Sequence, residues 1–358
     1  MDTITHTLAG ALVAHALGSQ KNAQNSTPMG TRVLCGAIVA AFPDIDYLTA
    51  LINPLVFITY WHRGITHSLV MLPLWALLLG LTMAFVLRRL KQWKSFVFLS
   101  AAVIFSHILL DMITSWDTQI FSPITDYRVS LQYAFVIDPL LTAIVLLALL
   151  FAVYFRARWA AVAGVGVLAL YIAMLAALHQ QAVEIARNHA RTQGWEYAHA
   201  IALPQPFSPF NWKLVISDDE GHWLALVNLV KRKPCATPSN GNANIFEIRK
   251  FYCPKQHLTW NYYPRFGHET DAREVWKQPN FSLFRKFALL PAVYSVDKSA
   301  NEVCVWFMDL RFFIPSLNTP FRYGMCKPHT STAWKLYRIK LYSSSERQFV
   351  SVPYLMLN

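Results

Sequence analysis

Four short blocks in the first third of the chain gather His and Asp into sequence that is otherwise apolar: Asp2 and His6 in MDTITH, Asp44 and Asp46 in FPDID, His62 and His67 with Arg63 in HRGITHS, and His107 and Asp111 in SHILLD. Ionisable groups are expensive to bury among apolar helices, so each one calls for a partner or a metal ion. Asp2/His6 and His107/Asp111 are i, i+4 pairs, a spacing that puts both side chains on one helix face and lets each pair reach one ion. Pro43 should break or kink its helix just before Asp44, so that Asp44 and Asp46 project from a helix end and the loop after it. Imidazole nitrogen and carboxylate oxygen together suit Zn, and also Mn or Fe, whereas a thiolate site would need cysteine, which the blocks lack. Four His and four Asp exceed one tetrahedral shell. The expectation is therefore one or two divalent ions with a water activated as hydroxide, and Arg63 offering its planar fork to a phosphate or carboxylate of the substrate.

Each block also has a structural reading. Asp2 can cap the first helix, His107 and Asp111 can form a hydrogen-bonded pair between helices, Asp44 and Asp46 can start a turn after Pro43, and Thr66 and Ser68 can cap the helix entered near His67. One block alone says little; four together favour the metal. Asp138-Pro139 reads as a helix cap and first turn, and Asp218, Asp219 and Glu220 before Gly221 as a solvated hairpin turn. His15, His222, His257, His268 and His329 lack ligand spacing and receive no role.

The elements that must position these blocks are apolar. Segments 67–87, 94–114, 135–155 and 158–178 approach the length of about 20 residues that crosses a hydrocarbon core, and the shorter 4–18 and 32–48 complete six predicted spans. The opening MDTITHTLAG lacks a basic n-region, so the first helix is expected to be retained. Loops on one side hold Lys21, Arg32, Arg88, Arg89, Lys91, Lys94, Arg156 and Arg158, and those on the other only Arg63 and Arg128. The first side is then cytoplasmic, and all four His/Asp blocks fall near the external helix ends.

From about residue 200 the apolar runs stop. HQQAVEIARNHARTQ continues the last helix toward Gly194, LPQPFSPF reads as an extended linker, and WKLVISD, HWLALVNLV, IFEIRKFYC, EVCVWFMDLRFF and WKLYRIKLY have strand patterning. The fold expected is an all-α multi-pass membrane bundle of about six helices over 1–180, a helical extension and linker over 181–204, and an external, mostly antiparallel β (α+β) domain over 205–358. Residues 1–179 carry ten Lys/Arg and seven Asp/Glu, so most of the +12 net charge lies in the later part. In a membrane protein that excess suits anionic lipid; no nucleic-acid partner is expected. Cys35 falls in a span, while Cys235, Cys253, Cys304 and Cys326 fall in the external domain, an even number that fits either two disulfides or four free thiols.

MDTITHTLAG, FPDID, HRGITHS and SHILLD, in this order, resemble the signature blocks of the YdjM/YbcI (DUF457) family of membrane-bound, predicted metal-dependent hydrolases, and FSPITDYRVSLQYAFVIDPL resembles the stretch that follows them in longer members. The resemblance covers roughly residues 1–180. It implies a metal site of His6, Asp44, Asp46, His62, His67, His107 and Asp111, with Asp2 and Arg63 as accessory catalytic groups. The activity expected is hydrolysis of a phosphoester, such as a phospholipid or lipid-linked phosphate, at the periplasmic face of the bacterial inner membrane. The implied cofactor is a divalent metal, Zn first, as one or two ions; the partners are membrane lipids and a small-molecule or lipid substrate, with the oligomeric state open. A non-enzymatic scaffold with a structural metal and a transporter are the alternatives; the near-absence of His and Asp from the cytoplasmic half of the spans speaks against the transporter.

Overall fold

The computed structural model describes every residue except 19–26, 196–197, 234, 236–246, 342–345 and 353–358. Lys21 lies outside the described residues, as does the start of IFEIRKFYC. Helices occupy all six apolar segments: Thr3–Ala16 (α1), Met29–Ala41 (α2), Leu72–Val86 (α4), Trp93–Met112 (α5), Pro139–Tyr154 (α6) and Arg158–Thr192 (α7), with a single turn at Pro54–Val56 (α3). Among the described residues Leu90–Met112 and Arg158–Thr192 are long and apolar enough to cross a membrane, and two bent pairs raise the number to four if each pair is one span. α1 and α6, with 14 and 16 residues, extend about 21 and 24 Å at 1.5 Å per residue, less than a full hydrocarbon core.

Pro43 acts as expected, since α2 stops at Ala41 and the 3-10 helix Pro43–Leu51 leaves at 41°. The third apolar segment starts later than predicted. His67 sits in a separate 3-10 turn, Ile65–His67, and α4 begins at Leu72 after a 66° bend. Ser68 Oγ accepts from the Val70 and Met71 amides, and Pro73 occupies the first turn of α4, where its missing N–H costs nothing. Asp138 caps α6 through the Leu140 and Leu141 amides, as its sequence predicts.

Two compact units are present: residues 1–48, 60–177 and 204–209 form the helical one, and 49–59, 178–203 and 210–358 the β-rich one. In the helical unit α1 and α2 cross at small residues. A Cβ on Gly36 would stand 2.4 Å from Ala14 Cβ and 2.5 Å from the Gly10 carbonyl, so the backbones meet at a distance only glycine permits. Leu12 of α1 packs with Leu141, Val145 and Ala161 of α6 and α7, and Val39 and Ala40 of α2 pack with Val103 and Ile104 of α5.

The β-rich unit holds two sheets, of order β1-β2-β3-β4 and β5-β6-β7-β8-β9, in which every strand neighbours its sequential successor. The first contains His199–Pro204 (β1), Asn211–Ser217 (β2), Gly221–Asn228 (β3) and Asn261–Pro264 (β4); the second Pro291–Lys298 (β5), Glu302–Asp309 (β6), Tyr323–Pro328 (β7), Lys335–Ile339 (β8) and Arg347–Phe349 (β9). The pairings β2–β3, β3–β4 and β5 through β9 are antiparallel. Period two sorts β2: Trp212, Leu214 and Ile216 pack on Leu178, Ala182 and Ala186 of α7, while Val215 joins Leu290, Met308 and Leu310 of the second sheet's core. Asp218 closes the β2–β3 hairpin by accepting from the Glu220 and Gly221 amides, as predicted.

Two expectations, one of a strand and one of an extended linker, fail locally. Residues 247–251 form a 3-10 turn because Ile248 and Phe251, three apart, both enter the core, which a strand would send to opposite faces. LPQPFSPF is not extended throughout: Leu203 and Pro204 end β1, and turns follow at 206–207 and 209–210, with Phe207 at φ 70. Cys235–Cys253 and Cys304–Cys326 are disulfides, and Cys35 is a buried free thiol.

Candidate metal centre

Four chain segments converge inside the helical unit. The start of α1 brings His6, the turn after α2 brings Asp44 and Asp46, residues 62–67 bring His62, Arg63 and His67, and the end of α5 brings His107 and Asp111. His6, His67, His107 and Asp111 are each 1% exposed or less.

At the centre, His67 Nε2 lies 3.2 Å from His107 Nε2, and each of these nitrogens lies 3.8 Å from Asp44 Oδ1. Asp111 Oδ2 is 3.1 Å from His67 Nε2 and 3.5 Å from His107 Nε2. Donors around a tetrahedral zinc with bonds of about 2.0–2.1 Å stand about 3.3 Å apart, so this spacing fits one ion. Two further observations agree. Among the described residues Asp111 Oδ2 is buried and receives no hydrogen bond. His107 Nδ1 lies 2.7 Å from the Ala40 carbonyl, which can only accept; Nδ1 therefore carries the hydrogen and Nε2 turns its lone pair inward. His6 stacks on His107 with ring centroids 3.6 Å apart and brings its Nε2 to 3.0 Å from Asp111 Oδ1. Two overlapping donor groups result, His6/His107/Asp111 and Asp44/His67/His107, both buried and both able to hold a metal ion.

Other predicted groups stand one layer out. Asp46 Oδ2 accepts from the Arg63 amide at 2.8 Å and lies 3.4 Å from His62 Nδ1 and 3.6 Å from His67 Nδ1. The His62 ring rests between Tyr47 and Trp116, with centroids 4.8 and 5.0 Å away. Asp2 takes its structural reading, since its carboxylate accepts from Thr5 N at 2.9 Å and Thr5 Oγ1 at 2.7 Å and so caps α1.

Arg63 does not present its fork to open space. It is buried in the left-handed backbone region at φ 53, with Nη2 on Asp111 Oδ1 at 2.7 Å and Nη1 on Thr114 Oγ1 and the Trp116 carbonyl, both at 2.7 Å. The Met1 amino group also lies against Asp111 Oδ1. Asp111 Oδ1 is thus held by cations with His6 beside it, and Oδ2 faces His67 and His107. Sequence reading missed Thr3, whose hydroxyl donates to Asp44 Oδ2 at 2.6 Å, and Thr114, and it gave Thr66 only a capping role, whereas the Thr66 hydroxyl lies 3.0 Å from His67 Nδ1. Thr3 and Thr66 lie inside the quoted blocks, and hydroxyls beside predicted ligands were the available signal. Thr114 had none.

Residues 1–182 match the family model of the YdjM inner membrane protein. The chain belongs to that family. Every candidate residue of the cluster lies within the matched range, so the resemblance carried by the four His/Asp blocks is borne out. Family membership and the apolar helices make this YdjM-family chain a membrane protein. The β-rich strands fall beyond the match, and neither a curated protein nor a solved structure matches the chain.

Proposed function

We propose that the chain is a metal-dependent hydrolase of the bacterial inner membrane, acting at the periplasmic face on a phosphoester such as a phospholipid or lipid-linked phosphate. The observation that carries the reading is the set of four donors, His67 Nε2, His107 Nε2, Asp44 Oδ1 and Asp111 Oδ2, whose measured separations run from 3.1 to 3.8 Å. His67, His107, Asp44, Asp111 and His6 would hold the metal, Zn first, with Mn or Fe as the other candidates. A divalent ion held by such donors lowers the pKa of bound water and polarises a phosphoryl oxygen.

The remaining residues have assignable tasks. Arg63 and Thr114 fix Asp111, and the Ala40 carbonyl fixes the tautomer of His107. Asp46 orients His67 and His62, and the Asp46/His62 pair is the group suited to take a proton from the attacking water and return it to the leaving oxygen. Six spans with the β-rich unit outside is the topology we favour. It rests on the asymmetry of Lys and Arg among the loops and on two disulfides in the β-rich unit, which persist in oxidising compartments. A site at a membrane interface could meet phospholipid headgroups without extracting them.

A purely structural metal is the second reading, favoured by the burial of His6, His67, His107 and Asp111. Elemental analysis of detergent-purified protein, beside His67→Ala and Asp44→Ala, tests the metal; a screen of phospholipids and phosphodiesters with the metal-loaded protein tests the chemistry. Stoichiometric metal with turnover lost in both variants is the expected result. Metal without turnover on any ester leaves the structural reading, and no metal after reconstitution ends both.

A further inference from the structure

The far end of the same helices carries a second constellation of opposite charge. α1 starts at His6's end and finishes beside Gly18; α5 carries Asp111 in its last turn and starts at Trp93. Seventeen residues of α5 separate Lys94 from Asp111, about 25 Å at 1.5 Å per residue. There a cavity of about 340 Å³ opens between α1, α2 and α5, within the range of about 300–1,000 Å³ usual for small-ligand sites. Its polar lining comes from Arg32, Lys91, Lys94, Thr27, Gln92 and Ser95, and among the described residues no carboxylate lines it.

Three features give this cavity a preference for anions. Arg32, Lys91 and Lys94 contribute three cations, and Arg32 Nε is buried without a hydrogen-bond partner among the described residues. The N-terminus of α2 also ends there. α2 begins after Pro28 and has no side chain capping its first amides, whereas the start of α5 continues from the 3-10 turn Leu90–Gln92, with the Trp93 amide donating to the Leu90 carbonyl. The amides of a first turn and the positive end of the helix dipole favour negative charge. Thr27 Oγ1 donates to Gln92 Oε1 at 2.8 Å and so ties the start of α2 to the turn that enters α5 at the cavity wall.

The lining also states what the anion is attached to. Leu17, Phe98 and Leu99 supply an apolar wall, and Phe98 continues onto the exposed apolar face of α5. A soluble anion needs no such continuation, whereas an acyl chain does. We infer that this cavity binds the headgroup of an anionic phospholipid, with its phosphate between Arg32, Lys94 and the uncapped N-terminus of α2 and its acyl chains along Phe98. The site is separate from the His/Asp cluster and does not depend on hydrolysis there.

The test is native mass spectrometry of the full-length, detergent-solubilised protein with phosphatidylglycerol or phosphatidylcholine, repeated in inorganic phosphate. The expected result is a preference of about tenfold or more for phosphatidylglycerol, reduced to about twofold or less in Arg32→Gln/Lys94→Gln, since each basic residue near an anionic headgroup adds to its binding. Arg88→Gln/Arg89→Gln, on the neighbouring turn outside this cavity, keeps the preference. If the double variant fails to fold, Ser95→Glu puts a carboxylate among intact cations and is expected to abolish the preference. Equal binding of the two lipids, or an undiminished preference in both Arg32→Gln/Lys94→Gln and Ser95→Glu, overturns the site. Displacement of the lipid by millimolar phosphate overturns the assignment to a lipid and leaves a soluble anion as occupant.

Discussion

His67 Nε2 and His107 Nε2 face each other at 3.2 Å although forty residues of chain separate them. Two imidazole nitrogens directed at the same space, with Asp111 Oδ2 and Asp44 Oδ1 beside them, are an arrangement that one cation would satisfy.

Removing either histidine is expected to abolish tight metal binding, while Asp46→Asn, which only loosens the orientation of His67 and His62, should weaken it by about 10- to 100-fold. Metal titration against a competing chelator ranks the three variants. Equal losses for Asp46→Asn and His67→Ala would place Asp46 among the direct donors.

Arg63 acts here as the fastener of Asp111. Arg63→Ala leaves a buried carboxylate stripped of its guanidinium and should lower stability by about 3–5 kcal/mol, read as a fall in the thermal midpoint. Arg63→Lys keeps the charge but loses the fork that reaches Thr114 and Trp116 together, so it should recover only part of the loss. A variant that keeps wild-type stability yet loses substrate binding would return Arg63 to the substrate.

A bulkier residue at Gly36 has no room at the α1–α2 crossing, where its Cβ would meet Ala14 Cβ at 2.4 Å and the Gly10 carbonyl at 2.5 Å. Gly36→Val should separate α1, which carries His6, from α2, which leads into the turn of Asp44, and reduce both the thermal midpoint and metal affinity. Unchanged metal affinity in a destabilised Gly36→Val protein would mean that the cluster is held by α5 and residues 62–67 alone.

Alkylation counts the thiols. Unfolded without reductant, the protein should take up one alkyl group, on Cys35, and after reduction five, measured by intact mass. The two disulfides close loops of 18 and 22 residues, so reduction should cost roughly 3 kcal/mol for each. Five modified cysteines without reductant would contradict an oxidising location for the β-rich unit.

Lys213 gives the β-rich unit a pH dependence. Its ammonium is fully buried and donates to the Leu310, Arg311 and Phe313 carbonyls, and burial pushes its pKa down from 10.5 to about 7. Between pH 7 and 10.5 the unfolded chain therefore binds more protons at this lysine than the folded one, so its contribution to stability rises with pH across that window and is flat outside it. The thermal midpoint of the wild type minus that of Lys213→Met should increase from pH 7 to pH 10. A difference that stays flat over this range would show that the three carbonyls hold the ammonium charged.

The sequence by itself determined the segments and the residue types: six apolar helices, the break at Pro43, the caps at Asp138 and Asp218, the change to period two after α7, and four His/Asp blocks. These follow from local causes, since capping, proline sterics and side-chain periodicity act within a few residues. Only the tertiary structure decided which groups face one another. It turned Asp2 toward Thr5 and Arg63 toward Asp111, moved the start of the third apolar helix from His67 to Leu72, and folded 247–251 as a turn in place of a strand. It chose one disulfide pairing among the three that four cysteines allow. Spacing along the chain fixes directions within one helix, but the distance from His67 to His107 depends on how α1 and α2 pack against α5, and close approach at Gly10 and Gly36 is a property of two backbones meeting in space.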